Sequence, residues 1–263
     1  MSDFPSSADR ALAQRIEAAD AANIHNMLLD AAPFAAEPAA GGWAIFAGAG
    51  SPMTHLVGAG MAGPVSEQEL DRVEAFYRER GSSCIIDLCP LADEGLIRAV
   101  QTRPYCAVEF NNILVRRLAG AGDIPVPGAS VRRIAAGEYE DWRRVVAAGF
   151  ADADEPPPGA LDAFAATGPP PHCFLAEAEG RGEAAAAMAI DSGVAWLFGD
   201  ATQPRARGRG LQTALIRARC GWAGGNGCDV ACAAVLPGSA SHRNYERAGF
   251  RLVYMRVIVM RDF

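Results

Sequence analysis

Three arginines and two glycines within six residues are the densest chemistry in the chain, in the stretch LFGDATQPRARGRGLQTAL from Leu197 to Leu215. Arg205, Arg207 and Arg209 carry the charge. Gly208 and Gly210 let the backbone turn tightly and approach a ligand with no Cβ in the way. An apolar strand leads into the loop and a helix follows at once. The free N–H groups of that helix's first turn, together with its dipole, make an anion site at the same place. The combination suits a pyrophosphate. The sequence contains no lysine, so phosphate recognition here must use arginine or backbone N–H groups. A dinucleotide fingerprint would need a third glycine and an acidic residue about twenty positions on, and a triphosphate loop would need Gly-Lys-Ser/Thr. Neither is present. The plain alternative is a glycine-rich turn with surface arginines.

Other reactive side chains are scattered. Cys84, Cys89, Cys106, Cys173, Cys220, Cys228 and Cys232 form no C-x-x-C pair and mostly lie in apolar, strand-like runs. They read as reduced, buried thiols of a cytoplasmic protein rather than metal ligands, and no metal is expected. The 263 residues carry a formal net charge of -7, which argues against general nucleic-acid binding, because phosphate affinity needs a positive surface. No apolar run is long enough to span a bilayer. The N-terminal MSDFPSSADR lacks the basic-then-apolar order of a secretory signal. Half the residues are hydrophobic, so the chain can bury a sizeable core as one large domain or two small ones.

The elements that must position the loop alternate between strand and helix, an α/β pattern with a mixed sheet. Asp9–Leu29 reads as an amphipathic helix. Strand-like runs follow at Trp43–Ala47 and His55–Ala59. Val65–Arg80 is a helix with Ser66 as N-cap and Glu69 completing a capping box. Ser83–Cys89 is an apolar strand stopped at Pro90, Asp93–Thr102 a short helix, and Tyr105–Leu118 a long strand with a break at Asn111-Asn112. Ala119–Gly128 is a linker by composition. Beyond it come a strand at Ser130–Ile134, a helix at Tyr139–Phe150 and a short helix between two proline runs. Strands follow at Cys173–Ala178, Glu183–Ile190 and Val194–Ala201, then the helix from about Gly210 to Ala223. A strand at Asp229–Leu236, a helix at Ser241–Ala248 and a strand at Arg251–Met260 complete the chain.

The two halves repeat one order: strand, helix, strand ending in proline, short helix, long strand. Gly63 to Pro90 spans the same interval as Gly210 to Pro237, and TRPYCAVEF parallels RAGFRLVYM. The pattern points to a duplication, with domains at residues 1–120 and 129–263 and a linker at 121–128.

The arginine–glycine loop resembles the R-x-x-G-x-G signature of the GNAT acetyltransferase family, at Arg205, Gly208 and Gly210. Thr202-Gln203-Pro204 is similar to the strand end that precedes it there, and Tyr245-Glu246-Arg247-Ala248-Gly249-Phe250 to the family's closing Y-E-x-x-G-F motif. The resemblance covers about half the chain. The N-terminal half matches only in pattern, like the tandem members of the family with a degenerate first half.

The resemblance implies a GNAT fold and an acetyl-CoA-dependent N-acetyltransferase. Two neighbouring strands splay apart and acyl-CoA lies in the gap. Pantetheine would bond along the strand edge at Ala201 and Thr202. Pyrophosphate would sit on the loop Arg207, Gly208, Arg209, Gly210, Leu211, Gln212 and Thr213, with Arg205 in the signature. An amine attacks the thioester directly, and Tyr245 holds the position of the acid that protonates the leaving thiolate. The family's asparagine before that tyrosine has no counterpart near Gly238, so Ser241 or Asn244 is expected to substitute. For the base, Asp200 and Glu177 are candidates, acting through water, and His172 and His242 further ones. A solvated carboxylate or a packing histidine is the plain reading of each.

In the N-terminal half the matching loop runs from Gly58 to Glu67. It has no arginine, Glu67 and Glu69 follow, and Pro64 removes one donor. That half is expected not to bind CoA and to act as a scaffold closing the acceptor cleft. The acceptor is expected to be a small-molecule amine, with Asp152, Asp154 and Glu155 a weak pointer to a cationic one. A protein or peptide acetyltransferase and a non-catalytic acyl-CoA-binding module are the alternatives.

Overall fold

The computed structural model describes residues 9–29, 33–118, 130–135, 137–161 and 169–263. They divide into two compact units, Met1–Ile113 with Leu252–Phe263, and Leu114–Arg251. The compositional linker and the short helix between the prolines fall largely or wholly outside the described residues. Among the described residues no helix is long and apolar enough to cross a membrane.

The first unit opens with α1 (Arg10–Leu28), whose N-cap Asp9 accepts from Leu12 N–H. Strand β1 (Ala35–Ala39) pairs antiparallel with β2 (Gly42–Phe46). The turn between them places Ala40 and Gly41 at φ 52° and 75°, which suits a two-residue hairpin. The sequence AAEPA hides β1, because its proline and its alanines are poor strand signals. β3 (Leu56–Val57) and β4 (Cys84–Leu88) are parallel, joined through α2 (Glu67–Arg78). Ser66 caps α2 as expected, but the Glu69 carboxylate accepts from Ala40 N–H at 2.8 Å. α3 (Glu94–Thr102) and β5 (Cys106–Arg117) follow. β5 is continuous across Asn111 and Asn112, where a break was expected; the Asn111 amide bonds Glu109 along the strand instead of competing with the backbone ladder.

The last strand, β11 (Arg251–Arg261), pairs antiparallel with β4, from Val257↔Leu88 to Arg261↔Cys84. It carries a cation into the core of the first unit. Arg256 is 2 % exposed and bonds Glu17, Asp20 and Asp87. The Tyr254 hydroxyl donates to Glu17, and His55 pairs with Asp87 at 2.7 Å.

In the second unit β6 (Ser130–Arg133), β7 (His172–Ala178), β8 (Arg181–Asp191) and β9 (Val194–Thr202) pair antiparallel in order, and β10 (Val230–Val235) joins β9 in parallel. Helix α4 (Tyr139–Phe150) covers one face; α5 (Leu211–Gly225) and α6 (Ala240–Arg247) cover the other. β8 shows why helices fit on both sides. Ala184, Ala186 and Met188 join the cluster beneath α5, while Ala185 and Ala187 join that beneath α4. The alternation is the strand's period of two, and the small side chains let both helices approach. The Trp142 indole N–H donates to the carbonyls of Phe174 and Ala186 and so anchors α4 to two strands.

Candidate functional site

A cleft of about 440 Å³ opens in the second unit where β9 ends and α5 begins. Gly210 is the N-cap of α5 at φ 76° and places no side chain over the helix end. The first intrahelical bond runs from Ala214 N–H to Gly210 O at 3.0 Å, so the N–H groups of Leu211, Gln212 and Thr213 have no partner within the helix. Gly208 sits at φ 75°, and a Cβ built there meets nothing within 4 Å. The result is an open, positively polarised helix end. Ala201, Thr202, Arg207, Gly208, Gly210, Leu211, Gln212, Thr213, Ser241 and Asn244 all line the cleft.

Of the three loop arginines, Arg207 alone is in that lining. Its guanidinium bonds Thr202 O at 3.2 Å and pairs with Asp152. Arg205 turns to Glu183 at 2.8 Å and to the Gln203 side chain, while its backbone N–H meets Asp154. Glu183 is 2 % exposed, and a buried carboxylate requires a cation. Arg209 reaches out to Glu179. The expectation of three converging arginines therefore gives way to one at the cleft and two bound elsewhere. Asp152 and Asp154 are likewise partners of this loop.

Gln212 joins the two helices at the mouth, donating to Ser241 Oγ at 3.0 Å and accepting from the Asn244 amide at 2.7 Å. Arg247 also lines the cleft and donates to Asn244 Oδ1.

The β8–β9 register steps from Ala185↔Ala201 to Ala187↔Phe198, so Gly199 and Asp200 stand opposite Ala186 alone. This is a β-bulge, made possible by Gly199 at φ 65°. Arg219 of α5, fully buried, fills the space behind it. Nε–H donates to Leu215 O at 3.2 Å, and NH1 to Ala187 O and Phe198 O at 2.8 and 3.3 Å. NH2 pairs with Asp200 Oδ1 and lies 3.5 Å from the Tyr245 hydroxyl. That hydroxyl donates to Asp200 Oδ2 at 2.7 Å. Burial opposes the charge on Arg219, but Asp200 and Tyr245 more than offset it and its pKa is raised. Burial, then the charge of Asp200, hold the Tyr245 hydroxyl well above its ordinary range. Asp200 lines the cleft; Tyr245, 1 % exposed and edge-on to Phe250, stands behind it.

Among the candidate bases only Asp200 faces the cleft. Glu177 is bonded to Arg132 at 2.8 Å. His172 packs at a tilt against Trp222, its pKa lowered by burial and by Arg133. His242 Nδ1 accepts from Gly238 N–H. Arg219, Gly149, Ala206, Ala240 and Arg247 were missed. The signal for Arg219 was its spacing: four residues after Leu215 and four before Ala223, it falls on the buried face of α5. Gly149 had none.

Residues 134–250 match the family model described as Acetyltransferase (GNAT) family. The matched stretch, less than half of the chain, is similar to acetyltransferases of that family and contains every residue that lines the cleft. Among solved structures, a GCN5-related N-acetyltransferase from Kribbella flavida is similar at 18% identity over 96% of both chains, TM-score 0.72. One from Sphaerobacter thermophilus is similar at 15% identity, TM-score 0.58, over 74% of this chain and 66% of that one. A tandem GNAT protein from the clavulanic acid biosynthesis pathway shares 13% identity, TM-score 0.54, over 74% of this chain and 68% of that one. At these identities the likeness is one of fold. No curated protein matches the sequence.

Proposed function

We propose that this chain transfers an acetyl or other short acyl group from acyl-CoA to the amine of a small molecule. The observation that carries the reading is the uncapped first turn of α5, open onto a cleft floored by the end of β9. The residues present suit the co-substrate. The N–H groups of Leu211, Gln212 and Thr213, with Arg207, match a pyrophosphate. Ala201 and Thr202 offer the strand edge to pantetheine, and Ser241 and Asn244 its far side.

When bound, acyl-CoA supplies the thioester. The chain's own groups must orient it, accept a proton from the amine and give one to the thiolate. Asp200 is the carboxylate at the cleft, with two of roughly four acceptor positions already used by Arg219 and Tyr245. It can accept from the amine directly or through water. Tyr245 is the proposed proton donor; its buried hydroxyl donates to Asp200, so a proton from it reaches the cleft by way of that carboxylate and the two residues act as one unit.

The first half is proposed to be a degenerate GNAT-like domain, residues 1–120, followed by the catalytic domain, residues 129–263; the compact units differ from these bounds in placing Leu252–Phe263 with the first half and the chain from Leu114 with the second. Two observations support this. Each unit contains parallel strands joined through a helix, β3–α2–β4 and β9–α5–β10. The α2 end is closed by its own Ser66 cap, with Glu67 and Glu69 in its first turn. Six of the seven cysteines are buried, which supports a cytoplasmic setting.

Titration calorimetry with acetyl-CoA, then thiol release across a panel of primary amines, tests the reading. Binding at one site per chain with amine-dependent thiol release is expected. Binding without release from any amine or peptide would favour a non-catalytic module, and release with peptides alone a protein acetyltransferase.

A further inference from the structure

We propose that Arg219 is a positioning residue for acyl transfer: from beneath the β9 bulge it holds Asp200 and, through Asp200, the hydroxyl of Tyr245. The inference rests on the reading of the cleft as an acyl-transfer site.

A guanidinium carries five N–H donors in a fixed fork. Five acceptors surround this one: the carbonyls of Leu215, Ala187 and Phe198, Asp200 Oδ1 and the Tyr245 hydroxyl oxygen. The first three belong to the scaffold. Leu215 fixes the side chain to its own helix, and Ala187 and Phe198 are the residues at which the β8–β9 register changes. The other two belong to the proposed chemistry. One side chain thus ties the shape of the bulge to the orientation of the carboxylate that faces the cleft.

The arrangement differs from a surface ion pair. The Arg219 side chain is fully buried and that of Asp200 is 9 % exposed, so neither charge has full access to solvent. Removing Arg219 leaves a partly buried carboxylate without its cation and without the donor that fixes Oδ1. A carboxylate released from that donor can turn away from the cleft, and the Tyr245 hydroxyl that donates to it loses its fixed orientation too. Lysine is not equivalent, since an ammonium offers three donors from a point and cannot reach both the bulge carbonyls and Asp200.

The test uses the full chain labelled with 3-fluorotyrosine, with the Tyr245 resonance identified by its loss in Tyr245→Phe. In wild type that ¹⁹F resonance reports the hydroxyl held against Asp200. In Arg219→Met it should be displaced from its wild-type position, and in Arg219→Met/Asp200→Asn displaced as well. Arg219→Lys, which keeps the charge, decides the matter if the methionine variant does not fold: its Tyr245 resonance should be displaced from wild type. Acetyl-CoA affinity by calorimetry should stay within about threefold of wild type in each folded variant. Thiol release with an active amine should fall more than about tenfold in Arg219→Met and partly recover in Arg219→Lys. A Tyr245 resonance in the folded variant that matches wild type overturns the proposal. So does undiminished turnover in that variant. If wild type releases thiol with no acceptor, the acyl-transfer reading fails, while the resonance still decides whether Arg219 holds the pair.

Discussion

Gly149 of α4 lies so close to Ala201 of β9 that a Cβ at position 149 would sit 2.8 Å from the Ala201 Cβ and 3.0 Å from Thr202 N. The helix therefore rests directly on the strand edge offered to pantetheine. Gly149→Ala gains about 1 kcal/mol of helix propensity but must push α4 or β9 aside, which costs roughly 1–3 kcal/mol. We expect a small loss of thermal stability and a clear loss of acetyl-CoA affinity. Calorimetry alongside thermal unfolding checks this; unchanged affinity would mean that the strand edge tolerates the displacement.

Cofactor binding should depend on the α5 loop. Gly208→Asp puts a carboxylate at the open helix end and a side chain at φ 75°, and should weaken acetyl-CoA binding more than about tenfold. Arg207→Ala should weaken it less. A Cβ at Gly63 meets nothing within 4 Å, so Gly63→Asp should fold normally and leave affinity unchanged. Two acetyl-CoA molecules per chain in the titration would refute the one-site reading.

Tyr245→Phe should lower turnover more than acetyl-CoA affinity, since the hydroxyl is proposed to act as the thiolate leaves. The variant also deprives Asp200 Oδ2 of its donor at 2.7 Å. Steady-state rates with an acceptor whose chemical step limits turnover provide the measurement, and an unaltered rate would take Tyr245 out of the mechanism.

The buried cluster of the first unit sets a pH dependence. Burial raises Asp20 to about 6 and raises Glu17, each against the opposing pull of Arg256. At His55 burial lowers the pKa, but the Asp87 carboxylate outweighs it, so the net shift is upward. Acids with raised pKa values bind more protons folded than unfolded, so stability falls as pH rises through the folded value. The raised histidine has the same sign. Asp87 is lowered by His55 and Arg256 against its burial, and weakens the fold only under acid conditions. Stability should therefore be greater near pH 5.5 than near pH 8. Asp20→Asn should flatten the dependence between about pH 4 and 6, by up to about 3 kcal/mol. Denaturant unfolding at several pH values gives the slope; an Asp20→Asn slope equal to wild type would contradict it.

The fragment Ser130–Phe263 should behave poorly. It keeps β11 but lacks β4, its antiparallel partner, and it loses the bond from Leu118 N–H to Asp229 O beside β10. Unpaired strand edges favour aggregation. Light scattering and acetyl-CoA titration of the fragment check this, and a monodisperse, fully active fragment would contradict it.

Local physics was legible in the chain itself. Gly208 and Gly210 marked a turn and an uncapped helix start, Ser66 marked a cap, and α4 was read at its observed bounds, because turns, caps and periodicity depend on near neighbours. The same loop gave Arg207, Gly208 and Gly210 through Thr213 of the cleft lining, whereas Ser241 and Asn244 came from the resemblance to the family's closing motif. The partners of long side chains were settled only by the tertiary structure. Arg205, Arg207 and Arg209 are identical in sequence terms, and Glu183, Asp152 and Glu179 decide which of them faces the cleft. Arg219 looked like one more charge on a helix until the β9 bulge brought five acceptors around it. Arg256 needed Glu17 and Asp20 from the far end of the chain. Burying a charge is favourable only where its partners converge, and that convergence is a property of the packed chain, not of any stretch within it.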